Sequence, residues 1–267
     1  MSVLLHISDP HYGTERAPVV EALVTLAKLQ RPELVVLSGD ITQRARRGQF
    51  RKARAFVDRL DAPVLVIPGN HDIPLLNLGA RVLHPYAGYR AAFGDDLEPV
   101  HSSPRWLVQC VNTTRWYRHQ DGTVSAQQIE RVAGRLLGAG PAQLRVVVVH
   151  HPIAVPERED EHNLLRRHQA ALRRWAAAGA DLVMGGHIHL PYVIALPVLA
   201  RPVWAVQAGT AVSWRVRDGQ PNSVNIVRWG GDVPARRCLI ERWDCDPGGP
   251  AFALVAVTDA DTGGTAR

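Results

Sequence analysis

The sequence predicts an α/β fold whose first part alternates strands with helices and whose last part is strand-rich. Three observations predict it. Apolar runs of strand length alternate with amphipathic stretches of helical spacing as far as Pro191. Most of these runs end in a short cluster of glycine and polar residues. After Pro191 the helical spacing disappears, and strand-length runs separated by Gly and Pro remain.

In chain order, Val3–Ser8 reads as a buried strand and Ala17–Leu29 as a helix. Glu33–Ser38 is a second strand. Gln49–Leu60 is a helix with Phe50, Ala53, Phe56, Val57 and Leu60 on one face. Pro63–Ile67 is a third strand. This strand–helix order predicts a parallel sheet covered by helices on both faces. Residues 73–104 are punctuated by Gly and Pro and read as irregular. Trp106–Val111 is a strand, and Ser125–Leu137 is a helix opened by a Ser125/Gln128 capping box. Arg145–Val149 and Asp181–Met184 are strands on either side of a helix over Asn163–Ala178. Tyr192–Leu196, Val203–Gln207, Val224–Trp229, Cys238–Trp243 and Phe252–Val257 are further strands. Residues 1–258 are expected to form a single domain, and 259–267 a flexible C-terminal tail.

Composition narrows the function classes. The chain has 267 residues, 46% of them hydrophobic, enough for a substantial core. Cys110, Cys238 and Cys245 are too few and too scattered for a disulfide framework. The N-terminus lacks the basic and apolar regions of a signal peptide, and no run is long enough for a membrane span. A cytoplasmic location is expected. The formal charge of +6, carried almost wholly by arginine, admits anionic partners, nucleic acid among them. The densest basic cluster is Arg44, Arg46, Arg47, Arg51, Lys52 and Arg54.

The chemistry lies just past the strand ends. Asp9 and His11 follow the first strand, Asp40 the second, and Asn70, His71 and Asp72 the third. His150 and His151 follow Arg145–Val149, and His187 and His189 follow Asp181–Met184. In open α/β sheets this rim is where ligands bind. Asp, Asn and neutral His suit divalent Mn, Fe, Zn, Mg or Co, and the absence of cysteine argues against a structural zinc site. The donors are too many for one tetrahedral ion and suit two ions sharing a carboxylate. Each short motif alone is weak, and their joint placement after apolar runs, mostly preceded by glycine, carries the reading.

The ordered set Asp9-x-His11, Gly39-Asp40, Gly69-Asn70-His71-Asp72, His150 and Gly186-His187-x-His189 resembles the calcineurin-like metallophosphoesterase superfamily. The resemblance implies a four-layer αββα sandwich of two mixed β-sheets flanked by helices. It implies one divalent metal ion on Asp9, His11, Asp40 and His189, and a second on Asp40, Asn70, His150 and His187. Asp40 would bridge the two ions, His71 would face the substrate, and Asp72 would orient His71. His151 would support its loop. The implied activity is hydrolysis of phosphodiesters by attack of a metal-bridging hydroxide.

Within that superfamily, the compact length, with Gln207–Ala211 and Asn222–Asn225, resembles class III cyclic-nucleotide phosphodiesterases and related bacterial phosphodiesterases, on motifs less specific than the metal set. The expected partner is a small-molecule phosphate ester. Nuclease, phosphomonoesterase and non-catalytic scaffold are the alternatives. Arg44, with Arg46 and Arg47, is a candidate substrate contact, and 73–104 a candidate wall over the site. An exposed sheet edge near the C-terminus leaves room for a homodimer.

Overall fold

In a computed structural model, residues 1–196, 199, 201–230, 237–246 and 248–262 are described. Strand β1 (Ser2–Ile7) is buried along its whole length. The pleat sends Val3, Leu5 and Ile7 to one apolar cluster and Leu4 to another. Strand β2 (Leu34–Leu37) repeats the pattern, with Val35 and Leu37 on one side and Leu34 and Val36 on the other. Strand β3 (Val64–Val66) pairs parallel to β2, as β2 does to β1.

Helices α1 (Ala17–Gln30) and α2 (Arg47–Val57) cover one face of these strands. The buried stripe of α2 is Phe50, Ala53, Phe56 and Val57, as the helical spacing requires. The other face does not meet helices, contrary to the expectation above. It meets a second sheet, through Trp106, Val108, Val146, Val148, Leu182 and Met184. A strand apolar on both faces is buried on both faces, but its pattern does not say whether a helix or a sheet covers it.

Residues 73–104 hold two short helices and a short strand, α3 (Leu78–Leu83), α4 (Ala87–Phe93) and β4 (Val100–Ser102). Strand β5 (Trp106–Cys110) follows, then α5 (Ala126–Leu137) and β6 (Leu144–Val148). The expected capping box opens α5: Gln128 N donates to Ser125 Oγ at 3.1 Å, and Ser125 N donates to Gln128 Oε1 at 2.9 Å. Helix α6 (His168–Ala177) begins later than its apolar spacing suggests, because 158–163 form a 3₁₀ segment and Arg167 turns left-handed at φ 70°. Strands β7 (Leu182–Gly185), β8 (Tyr192–Ala195), β9 (Trp204–Gln207), β10 (Ser223–Gly230), β11 (Arg237–Cys245) and β12 (Phe252–Asp261) complete the order.

The two sheets run β12-β11-β10-β1-β2-β3 and β4-β5-β6-β7-β9-β8. Both mix parallel and antiparallel pairs, and α5 and α6 cover the outer face of the second. The architecture is therefore a four-layer αββα sandwich. The strands after Pro191 are shared out: β8 and β9 extend the second sheet, and β10–β12 extend the first. Asp259–Asp261 belong to β12 rather than to a tail, while 263–267 lie outside the described residues.

No helix among the described residues is long and apolar enough to cross a membrane. All three cysteines are buried free thiols. The second sheet's helical layer rests on Trp175, fully buried, with its indole N–H donating to Ile129 O at 3.2 Å. Trp175→Ala is expected to cost about 3–5 kcal/mol and to lower the melting temperature by on the order of 10 °C. A thermal melt followed by circular dichroism checks this, and an unchanged midpoint would refute it.

Candidate metal centre

Five parallel-paired strands end at one rim. β1 delivers Asp9 and His11, β2 Asp40, β3 Asn70, β6 His150, and β7 His187 and His189. The loops lock onto one another through the backbone. Asp9 N donates to Gly39 O at 3.1 Å, His11 N to Asp40 O at 3.0 Å, and Gly186 N to His150 O at 2.9 Å. Five of these side chains sit on left-handed backbone: Asp9 (φ 51°), His11 (42°), Asp40 (47°), His187 (77°) and His189 (57°). Non-glycine residues avoid this region, and clusters of them mark sites where the fold holds strain for a function.

Two donor groups result. Asp9, His11 and His189 form one, and Asp40, His150 and His187 the other, with the ligand atoms of each group within 4.8 Å of one another. In the first, His11 Nε2 and His189 Nε2 face each other at 3.0 Å, and Asp9 Oδ1 lies 3.7 and 3.4 Å from them. In the second, the amide oxygen of Asn70 lies 3.2 Å from His150 Nε2 and 3.0 Å from His187 Nδ1. Asp40 touches both. Its Oδ2 is 3.7 Å from His11 Nε2, and its Oδ1 is 3.3 Å from His150 Nε2.

The electrostatics suit cations. Burial opposes the charge on Asp9, yet His189 and His150 hold its carboxyl well below the usual range. Asp40 is likewise held well below it: burial is outweighed by His150, His71 and His11. Burial pushes His11 and His187 down to about 3, so both present neutral lone pairs near neutrality. His150 goes the other way. Burial opposes its protonation, but Asp40 lifts it to about 9, a place where a bound cation would substitute for the proton.

The residues fit a pair of divalent ions on this structure's own terms. Asp9 Oδ1 is buried and has no hydrogen-bond partner, although it faces two imidazole nitrogens. An orphaned buried carboxylate oxygen is costly, and a cation would satisfy it. Glycines make the approach possible. A Cβ on Gly69 would lie 2.1 Å from both Asp40 N and Asp40 Oδ1, and one on Gly186 would lie 2.2 Å from Asp9 Oδ2. Gly69→Ala therefore displaces Asp40, and Mn²⁺ affinity by calorimetric titration is expected to fall about 10–100-fold. Wild-type affinity in that variant would contradict this geometry.

The remaining expected residues separate. His71 stands beside the cluster, its Nδ1 3.0 Å from the Gln43 carbonyl, which fixes the proton on Nδ1 and turns Nε2 toward a cavity of about 210 Å³. Asp72 does not touch the His71 ring, against expectation. Its buried oxygens accept from Gly69 N, Ile41 N, Thr42 N and Thr42 Oγ1 at 2.8–3.0 Å. It pins the β2 and β3 loops together and so positions the Gln43 carbonyl beside His71. Burial and the neighbouring Asp40 push Asp72 up to about 7 against those four donors. His151 supports its loop, through Thr113 Oγ1 at 2.8 Å and Gln120 O at 2.9 Å.

Arg44 is exposed and lines a neighbouring cavity rather than the one beside His71. The arginine at the site is Arg215, 3.2 Å from His71 Nε2 and 2.9 Å from Gln43 Oε1. It comes from the β9–β10 connection, held by Asn222 Nδ2 donating to Ser213 O at 2.8 Å. His119 and Asn163 also line the cavity. None of these three follows a strand run, so the strand-end signal does not reach them.

Comparison with known proteins agrees with this geometry. Residues 2–191 match the family model described as calcineurin-like phosphoesterase. The chain is 24% identical over 194 residues to a probable cyclic nucleotide phosphodiesterase of Synechococcus sp., covering 68% of this chain and 67% of that protein. It is 27% identical over 204 residues to a cAMP/cGMP dual specificity phosphodiesterase of Mycobacterium tuberculosis, covering 70% of this chain and 61% of the relative. The chain thus spans about two thirds of the length of these curated relatives. Among solved structures, a dimetal phosphatase from Danio rerio shares the fold with a TM-score of 0.69 at 15% identity, over 98% of this chain and 99% of that one.

Proposed function

Since the chain belongs to the calcineurin-like phosphoesterase family, we propose that it hydrolyses small phosphodiesters, cyclic nucleotides among them, with two divalent ions. One observation carries the reading: a single carboxylate, Asp40, turns one oxygen to each donor group. Asp9, His11, Asp40 and His189 would hold one ion, and Asp40, Asn70, His150 and His187 the other. Mn, Fe, Zn, Mg and Co all accept such donors. When bound, the pair supplies Lewis acidity to phosphoryl oxygens and acidifies water.

The chain's own residues do the rest. Asn70 and His71 face the cavity and bind phosphoryl oxygens. As an imidazolium, with the Nδ1 proton held on the Gln43 carbonyl, His71 gives the proton of Nε2 to the leaving oxygen. Asp72 keeps that arrangement rigid from beneath. Arg215 places one guanidinium beside His71, and no lysine among the described residues lines the cavity. The names of the two relatives above support phosphodiesters as the substrate class.

The test is metal-stripped protein re-supplied with Mn²⁺ and offered bis(p-nitrophenyl) phosphate, p-nitrophenyl phosphate and 3′,5′-cyclic AMP. Metal-dependent cleavage of the diesters above the monoester is expected. Monoesterase activity alone would replace the diesterase reading. No turnover with two ions bound would contradict a hydrolase of these esters.

A further inference from the structure

Helix α3 is inside out. Its charged residue, Arg81, is buried, donating from Nη1 to Pro74 O at 3.1 Å and from Nη2 to Arg118 O at 2.9 Å. Its apolar residues Leu78, Val82 and Leu83 face outward, and Leu76 just before it is 89% exposed. A helix in a globular domain normally shows the opposite arrangement. Arg81 anchors this one so that the apolar side chains stay in solvent. The 115–118 loop it holds exposes Trp116 and Tyr117 as well.

The groove beside this segment is cationic. It encloses about 1130 Å³ and has Leu75 and Leu76 on one wall and the arginines of α2 and its approach on the other. Arg44, Arg46, Arg47 and Arg51 are exposed, and none of them has an ion-pair partner among the described residues. Arg54, farther along, is neutralised by Asp58 at 2.5 Å. Isolated exposed leucines are ordinary, but a cluster bordered by unpaired guanidinium groups marks a contact surface.

We propose that this face docks the protein on an anionic phospholipid bilayer. The α3 leucines enter the boundary between headgroups and acyl chains, and the α2 guanidinium groups meet the lipid phosphates. Interfacial helices combine apolar and basic residues in this way. Nucleic acid would use the arginines but leave the leucines in water. The loop that Arg81 holds runs on to His119 and Gln120, which line the metal cavity. The inference stands without the phosphodiesterase reading, because its test measures binding.

The full chain is sedimented with vesicles of phosphatidylcholine alone and of phosphatidylcholine mixed with phosphatidylglycerol, with duplex DNA as competitor. Binding to the anionic vesicles is expected to be at least about tenfold tighter and to weaken with salt. Arg46→Ala and Arg47→Ala should each weaken it about fivefold. Leu76→Ser with Leu83→Ser should weaken it about tenfold, with hydrolysis of a water-soluble diester unchanged. Equal binding to both vesicles, or binding to neither, would overturn the proposal. So would binding that the leucine changes leave intact and DNA displaces, which would assign the face to nucleic acid.

Discussion

Asp40→Asn is expected to lower phosphodiester turnover by at least about 10³-fold and to cost the chain one or both of its ions. The side chain is almost fully buried, and its two oxygens are directed to different groups, His11 on one side and His150 on the other. Asparagine keeps the volume and one oxygen. It removes the charge and turns an amide N–H₂, which has no lone pair to give, toward one of the two groups. With its oxygen inward, the introduced amide would still accept from His71 N, a bond Asp40 Oδ1 makes at 2.9 Å, so the loop survives. Metal analysis by atomic emission and steady-state kinetics read the two effects separately. Two ions and full turnover in this variant would show that no shared carboxylate is needed.

His71→Ala is expected to do the reverse: both ions stay, and turnover falls about 10²–10⁴-fold. His71 belongs to neither donor group, and its ring meets the cluster edgewise, 4.9 Å from the ring of His11. Its Nε2 reaches the cavity and Arg215. If it delivers a proton to the leaving oxygen, the loss must grow as the leaving group becomes more basic. A series of aryl and alkyl diesters measures this. An equal loss across the series would reduce His71 to a phosphoryl-binding role, and no loss would remove it from the site.

Much of this is legible in the sequence alone. The strand ends deliver the donors because a parallel sheet exposes its carboxyl edge, and glycines beside Asp40, Asn70 and His187 are needed where a Cβ would strike the next loop. The left-handed backbone at Asp9, His11, Asp40, His187 and His189 is not legible, since no residue-type signal announces it. Asp72 shows a different limit. A carboxylate next to a histidine in sequence suggests a partner for that ring, but the 3₁₀ turn over Asn70–Asp72 sends the two side chains apart, one to the cavity and one to the loops beneath. Arg215 is hidden because the chain reaches the site there from the connection between β9 and β10, strands of different sheets, bracketed by the Gln207 and Asn222 segments. The inverted α3 reads as irregular because its apolar residues do not face a core.

Asp40 is proposed to serve two ions at once. Titration of metal-stripped protein with Mn²⁺, followed by electron paramagnetic resonance, tests it most directly. The structure predicts two ions per chain and a spectrum that shows exchange coupling between them. One ion per chain, or two ions with the uncoupled spectrum of isolated Mn²⁺, would contradict it.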